Sequence, residues 1–186
     1  MIDPTQIIVG RDNFTKSSHE LRFASPSDDR FRFVGGLFYQ NQTHDIFQRY
    51  MIDGLADHLS VPGYANTIWL TRETRVDTDY AIFGEGSYDI TPALTVTLGG
   101  RIFKSVNSLR GFFGYSEDYA DDVGSSSGMK GCPDPGASQI CDNLNKTTSN
   151  TGFTHKVNAT YHIDDDHMVY FTWSRGFRPG GVNRNS

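Results

Sequence analysis

The sequence predicts an all-β chain: an antiparallel meander of about six strands, arranged as three hairpins, forming part of a larger transmembrane β-barrel. Three observations predict it. Apolar and polar residues alternate at period two in paired segments. Only 37% of residues are hydrophobic, yet 13% are aromatic and 19 are glycine, as expected of strands apolar on one face only. Short turns also alternate with much longer connections, the layout of an outer-membrane barrel.

The first hairpin begins with Ser18–Ala24, where His19, Leu21 and Phe23 share a face and Glu20 and Arg22 take the other. Ser25–Arg30 reads as a turn, and from Phe31 to Gln42 the residues Phe31, Phe33, Gly35, Leu37 and Tyr39 share a face. In the second hairpin Tyr80, Ile82 and Tyr88 oppose Glu85 and Ser87. Past a turn at Asp89–Ala93, Leu94, Val96, Leu98 and Ile102 oppose Thr95, Thr97 and Arg101. In the third, Val157, Ala159, Tyr161 and Ile163 oppose Asn158, Thr160 and His162. Asp164–Asp166 turns the chain, and Val169, Phe171 and Trp173 oppose Tyr170, Thr172 and Ser174. Each strand is expected to hold roughly 9–11 residues, the reach of a tilted membrane strand. The long connections run from Thr43 to Thr74 and from Ser105 to Gly152. Asp45–Leu55 reads equally as a short helix ending near Gly54 or as irregular loop. Leu109–Tyr115 reads as a strand continuing above the membrane.

Alternation alone fits two architectures. A soluble, secreted β-sandwich with one disulfide would bury Leu94, Val96, Leu98, Val157, Ala159 and Ile163 against a second sheet. A barrel would present them to lipid as an apolar belt and turn Glu20, Arg22, Glu85 and Arg101 to a wet lumen. Aromatics toward strand ends (Phe31, Tyr88, Tyr161, Trp173) and polar long loops favour the barrel.

Several function classes find no support. The net charge of −5 and the lack of a basic stripe argue against nucleic acid. No apolar run approaches the ~18 residues of a membrane helix, and Met1-Ile2-Asp3-Pro4 does not open a signal peptide. No nucleophile elbow or phosphate loop appears, so neither an enzyme nor a cofactor is expected. Cys132 and Cys141 lack the four-ligand pattern of a zinc site. Their spacing does not separate free thiols from a disulfide, but a local disulfide is the better reading and implies an oxidising compartment. His162 and His167 flank Asp164–Asp166 and form a solvated acidic turn rather than a metal site. The four Asn-x-Ser/Thr matches, at Asn13, Asn41, Asn145 and Asn158, read as chance.

The chain resembles the barrel of TonB-dependent outer-membrane receptors. The likeness rests on Ser18–Pro26 with Gly36–Gln40, on Asp79–Thr91 followed by Leu94–Arg101, and on Phe153–Asn158 leading to Tyr170–Gly181. These cover all three hairpins in family order. The resemblance implies a 22-stranded barrel of a Gram-negative outer membrane, plugged by an N-terminal domain. It implies uptake of a scarce nutrient, most often a ferric siderophore, energised by TonB through that plug. Partners implied are outer-membrane lipid and a small nutrient, with TonB reached only through the plug. Plug and remaining strands are not recognised here, so the resemblance implies an internal barrel fragment. Six strands cannot close at that diameter, and an open sheet in lipid leaves unpaired backbone edges, so the chain alone is not expected to insert or transport. Ligand capture in such receptors uses outer loops, which points to Tyr50, His58, Tyr64, Trp69, Phe112, Phe113, Tyr115 and Tyr119. A Cys132–Cys141 bond would stiffen an outer loop by ~2–3 kcal/mol. Arg175–Asn183 is expected to run from a strand's outer end into the next loop.

Overall fold

A computed structural model describes residues 6–184. The start read above for a leader, Met1–Pro4, lies outside the described residues. Six strands form one antiparallel sheet in chain order: β1 (Ile7–Ala24), β2 (Phe31–Met51), β3 (Thr67–Asp89), β4 (Leu94–Gly114), β5 (Leu144–His162) and β6 (Met168–Ser174). A six-residue helix, α1 (Glu117–Asp122), and two short 3₁₀ turns at Asp57–Leu59 and Gly128–Gly131 lie in the long connections. No helix among the described residues is long and apolar enough to cross a membrane.

Strand lengths correct the sequence reading. Strands β1 to β5 hold 18 to 23 residues, about twice the membrane reach. Asp45–Met51, expected as helix or loop, belongs to β2 and pairs with β3. The strands therefore run on past the belt, and the long connections shrink to 52–66 and 115–143. Period-two patterning was visible only where one face is apolar. Beyond that level both faces are polar or mixed, and the ladder continues without a hydrophobic signal.

Register sorts the two faces. Leu21, Leu37, Ile82, Ile102 and Phe153 lie side by side in one row across five strands. Below them run Phe33, Gly86, Leu98, Val157 and Trp173, and then Phe31, Tyr88, Val96, Ala159 and Phe171. Leu21, Ile82, Ile102 and Phe153 are 53–55% exposed, because no second sheet covers them. That exposure rules out the sandwich. From Leu94 to the row of Tyr39, Tyr80 and Lys104 the belt stands roughly 25 Å tall at a usual rise and tilt. Trp173, expected near an edge, lies mid-belt opposite Val157. The upper aromatic row is Tyr39 with Tyr80, whose rings are 5.3 Å apart.

The opposite face is more buried without being a dry core. Along β4, Thr97, Phe103, Ser105, Asn107 and Leu109 are buried, while belt residues Leu98 and Ile102 are exposed. Large rings here lie over glycines in register: Phe83 over Gly36 and Phe103 over Gly152. A polar ladder fills the rest. Arg32 makes two bonds to Asp89, at 2.6 and 2.7 Å, and the Thr95 hydroxyl donates to the same carboxylate at 2.7 Å. Ser87 and Thr97 bond at 2.8 Å, and Lys156 pairs with Glu85 at 2.6 Å.

A Cβ on Gly36 would strike the Leu21 carbonyl oxygen and lie 2.8 Å from the Phe83 ring. Gly36→Val is therefore expected to destabilise the β1–β3 wall by about 1–3 kcal/mol. In the full protein this reads as a lower temperature of loss of the heat-modifiable gel band. Gly176→Val, where nothing lies within 4 Å, should leave it unchanged.

Candidate functional site

The upper ends of β2, β3 and β4 project beyond the tyrosine row and carry different chemistry on their two sides. On the face opposite the belt, Tyr50 pairs in register with Trp69, and Thr71 with Phe113. The Trp69 ring meets Phe113 edge-on at 4.6 Å and Tyr115 at 4.5 Å, and Tyr115 meets Tyr119 at 5.2 Å. β4 supplies Phe113 and the chain just beyond it supplies Tyr115. α1 supplies Tyr119, its start capped by the Ser116 hydroxyl. Ser116 also donates to the Leu59 carbonyl at 2.8 Å, tying the two connections together. Asn143 clamps the Phe113 backbone from both sides, accepting from its N–H and donating to its carbonyl at 3.0 Å each.

Beneath this cluster sits an ion pair that sequence reading missed. Arg184 donates to Glu73 at 2.9 Å, and its guanidinium lies 5.0 Å from the centre of the Phe113 ring. The Glu73 side chain is wholly buried, and that burial raises its carboxyl above the ordinary range, opposed by Arg184. The two residues are 111 positions apart, so no local pattern announces the pair. It also corrects the reading of Arg175–Asn183. Past β6 this segment leaves the ladder and climbs over the face opposite the belt toward the upper ends of the strands. Phe177 packs on Phe103 at 3.9 Å, the Val182 N–H donates to Asn107 at 2.7 Å, and Lys146 donates to the carbonyls of Asn183 and Arg184. Glycines at 176, 180 and 181 with Pro179 suit an irregular path better than a ladder.

The other sequence-picked residues fall elsewhere. Phe112 is fully buried with Val61, Leu70, Met129 and Cys132 in a small core on the belt side, so it cannot touch a ligand. Tyr64 packs on Phe47 beside that core, at 6.2 Å. His58 is exposed on the first 3₁₀ turn, whose Leu59 carbonyl accepts from Ser116 at the start of α1. Cys132 and Cys141 are joined by a disulfide that staples this cap. Glu20, Arg22, Glu85 and Arg101 all lie on the face opposite the belt. Glu20 pairs with Arg22, and Arg101 lies 5.0 Å over the Phe38 ring. In the β5–β6 turn, Asp164 accepts from the His167 ring at 2.8 Å and from the Asp166 and His167 amides, which holds its carboxyl below the usual range. All three bonds fall on its Oδ1, which closes the turn. No metal-binding group of three or more acidic, His or Cys side chains occurs among the described residues.

This is a wall segment of a membrane barrel. Residues 3–186 match the model of the family described as TonB dependent receptor-like, beta-barrel, and the chain belongs to that family of outer-membrane receptor barrels. Its fold is similar to the crystal structure of the ferric yersiniabactin uptake receptor FyuA from Yersinia pestis, with a TM-score of 0.68 and 15% identity. That match covers 97% of this chain and 24% of the FyuA chain, so the chain spans about a quarter of that structure. No curated protein matches the sequence.

Because the buried Glu73 charge costs stability, Glu73→Gln should protect segment 175–184 from hydrogen exchange at least as well as wild type at neutral pH. The sign follows from the raised pKa: the acid form is favoured on folding, so the carboxyl's contribution is best at low pH and fades as pH rises through that value. The advantage of Gln should therefore vanish in acid. Glu73→Ala strips Arg184 of its partner and should speed exchange by roughly tenfold or more.

Proposed function

We propose that these residues form one stretch of the wall of a larger, closed barrel in an outer-membrane receptor. The belt face meets lipid, and the face bearing Glu20, Arg22, Glu85 and Arg101 meets a wet lumen. The receptor imports a scarce nutrient, a ferric siderophore or a similar complex, driven by TonB acting through a plug domain lying outside these residues. The observation that carries the wall reading is the register-aligned apolar belt with no layer over it. In water such a surface would drive association, whereas against acyl chains it is at rest. The two outer strands support the same reading. β1 and β6 each pair on one side only, and unpaired backbone groups in lipid cost several kcal/mol each. Neighbouring strands must supply their partners.

The ring cluster supports capture at the outer mouth. Trp69, Tyr115 and Tyr119, flanked by Tyr50, give a rigid, amphipathic surface on the lumen side of the outer rim, where an incoming complex first meets the wall. The Arg184 guanidinium lies beneath, on the Phe113 ring. Tyr64 lies instead on the belt side with Phe47 and Arg72, apart from this cluster, and His58 is exposed on the same connection.

Two outcomes test these readings. In the full receptor, Trp69→Ala with Tyr115→Ala should weaken binding of the imported complex by roughly tenfold or more, with TonB-dependent uptake falling in parallel. Undiminished binding by that variant would end the mouth assignment. The isolated 186-residue chain should fail to form a heat-modifiable barrel in detergent, since its edges stay unpaired. A stable, heat-modifiable species would show that it closes by itself.

A further inference from the structure

The belt side does not end at the tyrosines. Above Tyr39 and Tyr80 come two rows of mostly small, polar side chains, among them Asn41 with Thr78 and Thr43 with Ser108. Then arginines appear. Register sets Arg11, Phe47, Arg72 and Phe112 side by side on four adjacent strands, and places Arg110 one row lower beside Thr74. Arg72 and Arg110 are therefore diagonal neighbours, within reach of one bound group. Arg11, Asp45, Phe47, Arg72, Arg110 and Asp142 line a groove of about 660 Å³. The stapled cap around Phe112 and Tyr64 bounds it above.

The charges in this groove are only partly spent. Arg11 makes no ion pair or side-chain hydrogen bond among the described residues. Among the described residues Arg72 bonds only to the Tyr64 hydroxyl, at 3.3 Å. Arg110 pairs with Asp142 at 2.7 Å but keeps 68% of its side chain exposed. Asp45 is engaged by the Thr74 hydroxyl at 2.7 Å. Arg49, in the row above, is turned to Thr67 and the Ala65 carbonyl. On the belt side of the groove three arginines face two aspartates, a locally positive patch; Asp12 and Glu73 also line it, but they alternate to the opposite face, where Asp12 meets His44 and Glu73 meets Arg184.

We propose that this groove binds the acidic oligosaccharide of an outer-leaflet glycolipid through its phosphate or carboxylate groups. The inference rests on the reading that the belt meets lipid. Two observations favour this occupant. The groove continues the lipid-facing surface directly upward, on the same strands and the same face. Height then separates lipid classes. The arginine rows stand six to eight residues above the tyrosines, roughly 15–20 Å at a usual rise and tilt. A phospholipid headgroup layer is only about 5–8 Å thick, so its phosphates fall short of the groove. A lipid bearing several charged sugars reaches it. Arginine suits this role, because its planar fork grips phosphate and carboxylate by two bonds at once.

The experiment uses the full receptor carrying this chain, first checked for heat-modifiable mobility. It is mixed with phosphatidylethanolamine vesicles containing lipopolysaccharide that retains its acidic core sugars, or lipopolysaccharide truncated to its lipid disaccharide. Inorganic phosphate serves as a soluble competitor. Wild type should prefer the core-bearing vesicles by roughly tenfold or more, and added salt should erode the preference. Arg11→Gln, Arg72→Gln and Arg110→Gln together should abolish the preference while leaving mobility and nutrient uptake intact. Retained preference in that variant overturns the proposal. So does equal binding of truncated lipid, or displacement by phosphate at the same concentration per phosphate group. A receptor that never becomes heat-modifiable overturns the lipid-facing reading along with this one, a result visible before any glycolipid is added.

Discussion

One constraint organises the molecule: every backbone amide in an apolar surround must find a partner within the sheet. The ladder meets it by holding one register through the whole belt, with its β2–β3 irregularity confined to Tyr50 and Met51, far above. Unbroken register has a second effect. Because side chains alternate at period two, a slip of one residue would exchange the belt with the polar face. The row from Leu21 to Phe153 exists because five strands keep step.

The opposite face solves a packing problem without a second layer. Rings of Phe83 and Phe103 cover glycines on neighbouring strands, so large side chains sit where glycines leave room for them. Charged groups between them are neutralised locally, as Asp89 is by Arg32 and Glu85 by Lys156. Nearer the rim the returning segment supplies partners from outside the ladder. Asn107 accepts the Val182 amide, and Glu73 meets Arg184.

Above the belt, adjacent residues serve opposite surfaces. Arg72 points to the outer groove, while Glu73 beside it is buried against Arg184 on the opposite face. Phe112 fills the cap core, while Phe113 carries the ring cluster and the guanidinium. The stapled cap and α1 are tied to the sheet and to each other, because Ser116 bonds to the Leu59 backbone of the other connection and Asn143 to the Phe113 backbone of β4.

The three hairpins, their turns and the placing of Glu20, Arg22, Glu85 and Arg101 on the face opposite the apolar residues were legible in the sequence, because an apolar face and a polar face impose a period-two signal that needs no knowledge of neighbours. Where that contrast disappears, so does legibility: Asp45–Met51 and Leu144–Gly152 are strands whose two faces are similarly polar or mixed. Tertiary structure alone decided that Phe112 is core and Phe113 is rim. It alone turned the chain after Trp173 inward and joined Glu73 to Arg184. Such pairings depend on which strands lie side by side, and a linear pattern carries the period of a strand but not the identity of its distant partners.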